Sequence, residues 1–587
     1  MVDGGLSHLA AVSFHFHGYQ PGDIVRWTEP DPFKPPRFEE RASPVALTVG
    51  GERIQGRNWT DAVLHTYGRM EEVLERAASV ASVDIEPQTL AWLLGKDESA
   101  YRRVLAAYEK GLAGLAITPP FHPILPHHHR LDRESLFEMM FDFYAPILKR
   151  IHGRPVGLWL SEAAYSGETM ESYLAAARRS SVELGGLPDL VHGVHLILDE
   201  RQLAVPSGRT GWYRTSSLAA VARDHRVSDD FAFGSSEART LAASLVSRSS
   251  DSLLVAADLE SLLANAGQAE RFETIVQAVR EAGHTVTSPT PPPKPPPAEI
   301  VQFSSWSDYT EHAFQGHTSD TRWTGLRRSD GLIVGRMHRG RRMSQMWKHA
   351  FTLATEQVET AVRRTARDLL PGRDDDWKRE VLRRLAVAYG RHLWRDHYRA
   401  LGFSSGDTDL ARAVSEIAGE LDPDAAAHLA RAYVTMLMGL RSDPRFWDNP
   451  DTRVTFQNVA CLAHALLDAG EACVRAGKRD LKERLIGALR ASLLEFAEAY
   501  GRQGLGDLQG ADGWESTEVS WLESLQTEAP RRSTFDVVRR ACLFALRDTE
   551  LNGMPEFVGV EGVADTGHIE GEMHGAWGNP AWCEHRA

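Results

Sequence analysis

The first 310 residues alternate short apolar runs with segments in which apolar residues recur every three or four positions. A short apolar run is typical of a buried strand, and the wider spacing is typical of an amphipathic helix. The predicted strands are residues 10–16, 80–85, 114–118, 156–160, 194–198, 253–257 and 300–303. The predicted helices between them include residues 59–78, 89–110, 133–151 and 169–180. Strands alternating with helices indicate an α/β fold, here an incomplete parallel β/α barrel of about seven strands.

From residue 341 onward the pattern changes to long helical stretches. Apolar residues keep the spacing of three and four, while Arg, Glu and Asp occupy the other face. The predicted helices are residues 344–369, 377–401, 425–440, 456–476, 481–500 and 534–547. We therefore expect a barrel over residues 1–310, an α-helical domain over residues 311–550 and an irregular tail over residues 551–587.

A proline-rich segment, residues 288–297 (SPTPPPKPPP), precedes the last predicted strand. Proline fixes φ and has no N–H to donate, so this segment must be extended and polyproline-like. It is either a rigid surface loop before that strand or a boundary between domains.

Composition and charge narrow the class of protein. The chain has 587 residues, a net charge of −14 and four cysteines. This charge gives no reason to expect binding to nucleic acid or to an anionic membrane surface. Few cysteines, an amino terminus without the pattern of a signal peptide and no apolar stretch of membrane-spanning length favour a cytoplasmic protein. Nothing in the sequence indicates an oligomeric state.

Carboxylates directly follow two of the predicted strands. Glu162 follows the run VGLWLS, and Asp258 follows the run LLVAA, with Glu260 two positions further on. The carboxyl ends of barrel strands are where barrel active sites are built, and paired acids cleave glycosidic bonds. Each acid also has a structural interpretation, Glu162 in the first turn of a helix capped by Ser161, and Asp258 as a helix N-cap.

Two histidines lie on the first predicted strand, in the segment HFHGYQP. His15 and His17 are two positions apart and so point to the same side, toward the barrel mouth. They can donate hydrogen bonds to substrate hydroxyls, ligate a divalent metal, or be buried and satisfied by neighbours. With an acid such as Asp258 they would suit a metal-dependent hydrolase or deacetylase. We assign His15, His17, the following Gln20 and Glu260 to substrate binding and predict no metal and no cofactor.

Three tryptophans are candidate platforms for a sugar ring. Trp159 precedes Glu162, Trp306 follows the last predicted strand, and Trp27 follows the first. The apolar face of a sugar stacks on aromatic rings, although packing in the core is the commoner role of a buried tryptophan. Residues 127–129 (HHH) are predicted to form a loop rather than a metal site.

The order of these motifs along the chain resembles that of glycoside hydrolase family 57, in particular a bacterial subgroup with a long helical carboxy-terminal domain. The matching segments are residues 15–21 (HFHGYQP), 121–126 (FHPILP), 159–163 (WLSEA), 257–260 (ADLE), 304–307 (SSWS) and 436–459 in the helical half. The resemblance covers most of the chain.

The resemblance implies a retaining hydrolase or glucanotransferase that acts on α-linked glucans or oligosaccharides. It implies Glu162 as the nucleophile, Asp258 as the general acid/base and a helical domain that contributes to the cleft. Retention requires the two carboxyl groups to lie about 5–5.5 Å apart. Two segments depart from the family pattern: Ser161 replaces a proline, and residues 261–265 (SLLAN) replace a Gly-His run that lines the subsites. The alternative is therefore a catalytically impaired barrel that binds carbohydrate.

Overall fold

The computed structural model describes most of the chain up to residue 485. The described residues are 11–20, 31–34, 45–49, 52–57, 59–151, 153–185, 189–204, 211–216, 218–248, 252–264, 267–306, 323, 335–338, 341–344, 346–370, 374–446, 453–482 and 485. Trp27, Ser307 and the predicted tail, residues 551–587, lie outside them.

Seven parallel strands form a barrel in the N-terminal half, which confirms the predicted fold class. In chain order they are β1 (Ala11–Gly18), β2 (Ala81–Ile85), β3 (Ala113–Ile117), β4 (Val156–Leu158), β5 (Val194–Asp199), β6 (Ala219–Arg223) and β7 (Ser252–Asp258). Each strand pairs with the next, and β7 pairs with β1. The ring closes through one parallel bridge between Leu254 and Arg223. The short strand Gly211–Arg214, antiparallel to β6, occupies the rest of that edge.

The strand predicted at residues 300–303 is wrong. That segment makes a single isolated bridge, between Leu203 and Ile300. The missing strand is β6, whose run AAVAR contains small alanines and ends in a charged residue. Such a run gives a weak apolar signal, and the structure compensates by pairing the buried Arg223 with Asp199 at 2.7 Å. The sequence pattern could not show that partner.

Alternation along β1 explains why its histidines enter the barrel. Phe14 and Phe16 face the surrounding helices, where their rings lie 5.0 and 5.7 Å from the ring of Phe272. Because successive side chains of a strand point to opposite faces, His15 and His17 point to the interior. The apolar part of that interior consists of Ala116, Trp159, Ala163, Ile197, Val221 and Leu254.

Helices surround the barrel, largely where the spacing of apolar residues predicts them. The α-helices are Trp59–Tyr67, Met70–Arg76, Pro87–Lys96, Glu98–Lys110, Arg130–Arg150, Gly167–Leu184, His225–Phe233, Ala238–Arg248, Leu259–Leu263 and Gln268–Glu281. Short 3-10 helices are Leu125–His127, Ser161–Ala163 and Glu200–Gln202. The helix predicted at residues 89–110 is two helices, because Asp97 caps the second by accepting a hydrogen bond from the Ala100 N–H at 2.8 Å. Further short strands are Val45–Val49, Glu52–Arg57, Thr285–Val286, Gly335–His338 and Arg341–Ser344.

The second half is helical, as expected. Its α-helices, called here the C-terminal helices, are Met346–Leu369, Asp375–Leu393, Arg395–Ala400, Leu410–Ala418, Pro423–Met438, Asp443–Phe446 and Arg453–Arg475, with a 3-10 turn at Ser405–Thr408. They pack on the barrel helix Arg130–Arg150, where the Tyr433 hydroxyl donates to Asp132 at 2.7 Å. The predicted helix 534–547 and most of 481–500 lie outside the described residues, and the division at residue 310 stays a prediction. None of the helices that the structure describes is long and apolar enough to cross a membrane.

The proline-rich segment lies along the barrel as an extended loop. The Arg214 N–H donates to the carbonyl of Pro296 at 2.7 Å, and the Ala298 N–H donates to the carbonyl of Arg214 at 3.1 Å. These bonds hold the segment against the short strand Gly211–Arg214. It is therefore a docked surface loop, and it is not followed by a barrel strand.

Candidate active site

A buried aspartate on β2 joins the two histidines of β1. The Asp84 carboxylate lies 2.7 Å from Nδ1 of His17 and 3.1 Å from Nε2 of His15. Nδ1 of His15 lies 3.2 Å from the Ser82 hydroxyl. Burial would raise the pKa of Asp84, but the two histidines outweigh it and lower that pKa. Polar side chains of β2 thus hold both histidine rings in position inside the barrel.

His17 also contacts His122, which was not predicted as a site residue. Its Nε2 lies 3.0 Å from Nε2 of His122, and Nδ1 of His122 lies 2.6 Å from the hydroxyl of Ser442 in the C-terminal helical half. Burial would lower the pKa of His17, but Asp84, with smaller contributions from Asp258 and Glu260, raises it to about 9. Burial and the nearby His17 lower the pKa of His122 well below its usual range.

Glu162 lies just beyond β4 in a strained turn. Its backbone has φ 58° and ψ 19°, and Ala163 has φ 51°. Residues other than glycine adopt this left-handed region only where their surroundings enforce it, and such strain clusters at functional sites. Its carboxylate accepts a hydrogen bond from the Trp306 indole at 2.8 Å and lies 4.0 Å from Nδ1 of His122. Glu162 lies in the short 3-10 turn Ser161–Ala163 with a non-helical backbone, Ser161 does not cap that turn, and the next α-helix begins only at Gly167.

Asp258 ends β7 directly before a short helix, where a helix N-cap would lie, but its side chain does not cap that helix. It is the N-cap residue of Leu259–Leu263, yet its side chain makes no capping hydrogen bond. Burial, opposed by the positive charge of His17 and assisted by the charge of Glu162, raises its pKa to about 6. Glu162 is therefore close enough to Asp258 for the two charges to interact. A carboxyl group with a raised pKa is suited to donate a proton near neutral pH.

Glu260 is buried behind Asp258 rather than exposed to the barrel mouth. It accepts hydrogen bonds from Nε2 of Gln20 at 2.8 Å and from the hydroxyl of Tyr67. Burial and the neighbouring Asp258 raise its pKa to about 7. The structure thus places both Glu260 and Gln20, predicted as substrate-binding residues, in a hydrogen-bonded layer below the acid.

The described tryptophans differ in exposure. Trp159 is fully buried inside the barrel, with its ring 5.1 Å from that of His15 and 4.7 Å from that of Trp306. Trp306 is only partly buried, and the guanidinium of Arg223 lies 4.7 Å above its ring. Trp306 is therefore the better placed of the two to meet a ligand, and Trp159 packs beneath it.

Several residues of the site were not chosen as candidates from the sequence, although His122 and Asp443 lie in segments that carry the family resemblance. Asp84 lies inside β2 rather than at its end, and His122 follows β3 in a turn where Phe121 and His122 have φ of 70° and 48°. Asp443 comes from the C-terminal helices and accepts a hydrogen bond from the Tyr19 hydroxyl at 2.5 Å. Because His15 and His17 point to the same side of β1, polar residues of the neighbouring strand β2 could have been considered as their partners. No local sequence pattern could indicate the contacts between residues far apart in the chain.

The run of histidines at residues 127–129 has structural roles. Nδ1 of His128 lies 2.7 Å from the carboxylate of Glu359, and the ring of His129 accepts the Leu131 N–H at the start of a helix. Within the part of the chain that the structure describes, no three His, Cys, Asp or Glu side chains are grouped so as to hold a metal ion. His15 and His17 instead share Asp84, which offers no support for the metal-dependent alternative.

Comparisons with known proteins agree on one family. A model of the N-terminal domain of the maltose-forming alpha-amylase-like family matches residues 9–290, and a model of its C-terminal domain matches residues 322–567. The crystal structure of an exo-type maltose-forming amylase from Pyrococcus sp. ST04 is similar at 31% identity and a TM-score of 0.78, covering 93% of this chain and 92% of that one. A search of curated protein sequences finds no significant match.

Other solved structures are much more distant. A 4-alpha-glucanotransferase from Thermococcus litoralis matches at 13% identity and a TM-score of 0.41, over 78% of this chain and 59% of that one. A GH57-type branching enzyme from Pyrococcus horikoshii matches at 10% identity and a TM-score of 0.39, over 88% and 94%. The predicted membership of glycoside hydrolase family 57 is wrong, because the matching models belong to the maltose-forming alpha-amylase-like family. The short motifs behind that prediction mark strand ends in a sugar-cleaving barrel and do not separate one family from another.

Proposed function

We propose, from the premise that this chain belongs to the maltose-forming alpha-amylase-like family, that it cleaves α-linked glucans with retention and releases maltose. The family, and the similarity to an exo-type maltose-forming amylase, support an α-glucan-acting glycoside hydrolase. Maltose as the product is inferred from that relative. The observation that carries the proposed chemistry is the electrostatic interaction between Glu162, just after β4, and the half-buried Asp258 at the end of β7.

The two acids differ in the way that retaining chemistry requires. In the first step a Glu162 oxygen would attack the anomeric carbon as the glycosidic bond breaks, and Asp258 would give its proton to the departing oxygen. In the second step Asp258 would take a proton from water as that water attacks the anomeric carbon and releases Glu162. A nucleophile must be ionised and an acid protonated, so carboxyls in different environments divide the two roles.

The surroundings of Glu162 support its role as the nucleophile. The Trp306 indole donates to one of its oxygens at 2.8 Å, and its backbone carbonyl accepts the Trp306 N–H at 3.1 Å. These two bonds fix the carboxylate in place, because they act on both ends of the residue. Such positioning lowers the reorganisation needed to reach the anomeric carbon.

Of the altered residues after Asp258, residues 261–264 are buried, and residue 265 lies outside the described part of the chain. Leu259, Leu262 and Leu263 are fully buried in the short helix that follows β7. The departure from the expected Gly-His run therefore changes core packing beside the site. This placement weakens the alternative of a carbohydrate-binding barrel without activity, which rested on the loss of subsite residues.

The test is hydrolysis of defined maltooligosaccharides and of glycogen, with products resolved by chromatography. Wild-type protein is expected to release maltose as the first and main product, and Glu162→Gln is expected to release none at the same protein concentration. Tight binding of maltooligosaccharide by calorimetry without any turnover would instead establish the binding protein. Release of glucose or longer products first would contradict the assignment of maltose.

A further inference from the structure

A continuous series of close polar contacts joins the barrel interior to the C-terminal helices. It runs from Asp84 to Nδ1 of His17 at 2.7 Å, from Nε2 of His17 to Nε2 of His122 at 3.0 Å, and from Nδ1 of His122 to the Ser442 hydroxyl at 2.6 Å. All four side chains are buried. Every imidazole nitrogen of this series therefore faces a polar atom, and the protons must be shared out among them.

The contact between the two imidazoles limits where those protons lie. Two ring nitrogens at 3.0 Å need one proton between them, because two would repel and none would leave two lone pairs facing. If Nδ1 of His122 carries its proton and donates to Ser442, its Nε2 must accept from His17. His17 then holds protons on both nitrogens, since its Nδ1 faces the Asp84 carboxylate, and it is an imidazolium.

The other arrangement has one proton fewer. In it the Ser442 hydroxyl donates to Nδ1 of His122, Nε2 of His122 donates to His17, and His17 is neutral. The two arrangements differ without movement of any heavier atom, because a hydroxyl hydrogen is free to rotate. Ser442 thus allows both proton arrangements, and the direction of its hydroxyl hydrogen shows which arrangement is present.

The charges around His17 favour the imidazolium. Strand β2 presents Asp84, and β7 presents Asp258 with Glu260 behind it. On β1 itself, the neighbouring His15 is held neutral, because burial lowers its pKa. The turn after β3 presents His122, whose pKa is also lowered by burial.

The remaining neighbours of the pair act through His122. Glu162 of the turn after β4 lies 4.0 Å from Nδ1 of His122. Asp443 holds the hydroxyl of Tyr19, whose ring is stacked on that of His122 at 4.0 Å. Arg441 acts in the opposite direction, because its positive charge lowers the pKa of His122. The carboxylates around the imidazole pair outnumber this cation, which stabilises a positive charge on the pair.

The backbone of the C-terminal half fixes the same contact. The Ser442 N–H donates to the carbonyl of His122 at 2.9 Å, and Arg441 forms a bridge with Pro123. Because Phe121 and His122 both adopt positive φ, this turn needs such support from outside the barrel. Ser442 therefore contacts His122 twice, once at the backbone and once at the ring.

We propose that Ser442 is a positioning residue of the active site, which fixes His122 as the acceptor of a hydrogen bond from His17 and so keeps His17 an imidazolium beside Asp258. The inference rests on the proposed function only for its consequence in catalysis. A positive His17 stabilises ionised Asp258, so it eases the return of Asp258 from acid to base after each proton transfer. The C-terminal helices would then control the charge inside the barrel.

The experiment is nitrogen NMR of the full-length protein carrying labelled histidine, with His17→Gln and His122→Gln used to assign the two rings. Wild-type protein at pH 7 is expected to show His17 protonated on both nitrogens and His122 neutral with its proton on Nδ1. In Ser442→Ala the deprotonation midpoint of His17 is expected to fall by about one pH unit, the loss of one hydrogen bond within the series. Ser442→Thr keeps the hydroxyl and is expected to restore the wild-type midpoint.

Ser135→Ala is the matched control. Ser135 is also buried and also contacts the C-terminal helices, but its hydroxyl bonds to the Leu131 carbonyl at 2.8 Å and to the Tyr433 hydroxyl at 3.0 Å rather than to either imidazole. This variant is expected to leave the His17 midpoint unchanged. Thermal melts of each variant show whether it is folded.

A neutral His17 in wild-type protein at pH 7 would overturn the proposal, and so would an unchanged midpoint in Ser442→Ala. The wild-type spectrum decides the matter even if that variant does not fold. Activity supplies a separate readout: Ser442→Ala is expected to lower kcat about tenfold with little change in KM, and Ser442→Thr to recover it. If wild-type protein cleaves no α-glucan, the proposed function fails while the NMR result still tests Ser442.

Discussion

Two aspartates at the ends of barrel strands occupy equivalent positions and have opposite surroundings. Asp199 ends β5 and Asp258 ends β7, and each is the N-cap residue of a short helix. Asp199 caps its helix and pairs with Arg201 at 2.9 Å and Arg223 at 2.7 Å. In the described part of the chain, the carboxylate of Asp258 makes no hydrogen bond and no ion pair. A strand-end acid is therefore not a catalytic signal by itself.

The partners decide what each acid can do. Burial would raise the pKa of Asp199, but Arg201, Arg223 and His225 hold it well below its usual range. Burial raises the pKa of Asp258 to about 6, and the positive charges of His17 and Arg223, which lower it, do not reverse the effect. The first acid is permanently charged and structural, whereas the second can exchange a proton near neutral pH.

The largest expected difference is in activity. Asp258→Asn removes the group that donates a proton, so its kcat/KM on maltooligosaccharides should fall by about 10²–10⁴-fold. Asp199→Asn keeps the catalytic carboxyls and should show a much smaller loss, measured on the fraction that is folded. Equal losses in the two folded variants would show that the two aspartates do not differ in their role in catalysis.

Stability should change in opposite directions. Asp199→Asn leaves Arg201 and Arg223 without their shared carboxylate, and breaking a buried pair costs about 3–5 kcal/mol of unfolding free energy. Denaturant unfolding at pH 7 measures this loss. The Arg102–Glu98 pair, exposed on a helix surface, provides the control, because Glu98→Gln should change stability by less than about 1 kcal/mol.

Asp258→Asn is expected to raise the unfolding free energy at pH 7. The folded-state pKa of Asp258 is raised from its usual 3.8 to about 6, so the folded protein binds more protons than the unfolded chain between these values. Stability therefore falls as pH rises through that window, and the amide removes a penalty of about 1–3 kcal/mol that persists above it. Wild type and variant should be equally stable near pH 3.5. A destabilised Asp258→Asn at pH 7 would show that Asp258 is structural like Asp199.

Trp306 connects the structural acid to the proposed nucleophile. Arg223 lies over its ring and Arg201 donates to its backbone carbonyl, while its indole donates to Glu162. Trp306→Phe keeps a ring but loses the hydrogen bond to the carboxylate, so kcat should fall about 10–100-fold, the value of a bond to a charged group. A change in KM alone would indicate that Trp306 only binds sugar.

The smallest effect concerns the pH profile. Because Asp258 must be protonated to act as an acid, kcat/KM should decline above about pH 6, the pKa to which burial raises this group. His17→Gln removes a positive charge that lowers this pKa, so the decline should move to higher pH. If the decline of kcat/KM occurs at the same pH in His17→Gln, another group causes it.

The sequence predicted the barrel well but predicted its chemistry only in part. Apolar runs located six barrel strands, because buried parallel strands are continuously apolar, and missed β6, whose charge is neutralised by Asp199. Glu162 and Asp258 were chosen for following such runs. Asp84, His122 and Ser442 were not, because their roles depend on contacts between residues far apart in the chain. The family was also misjudged, since short motifs are shared more widely than whole domains.

Covalent trapping tests directly whether Glu162 is the nucleophile. A slow fluorinated glycosyl substrate of the α-maltosyl type should accumulate a glycosyl-enzyme ester in wild-type protein, and mass spectrometry of the digested protein should locate the sugar on Glu162. The same experiment in Asp258→Asn should place it on the same residue. Attachment to Asp258, Glu260 or Asp443 would show that Glu162 is not the nucleophile.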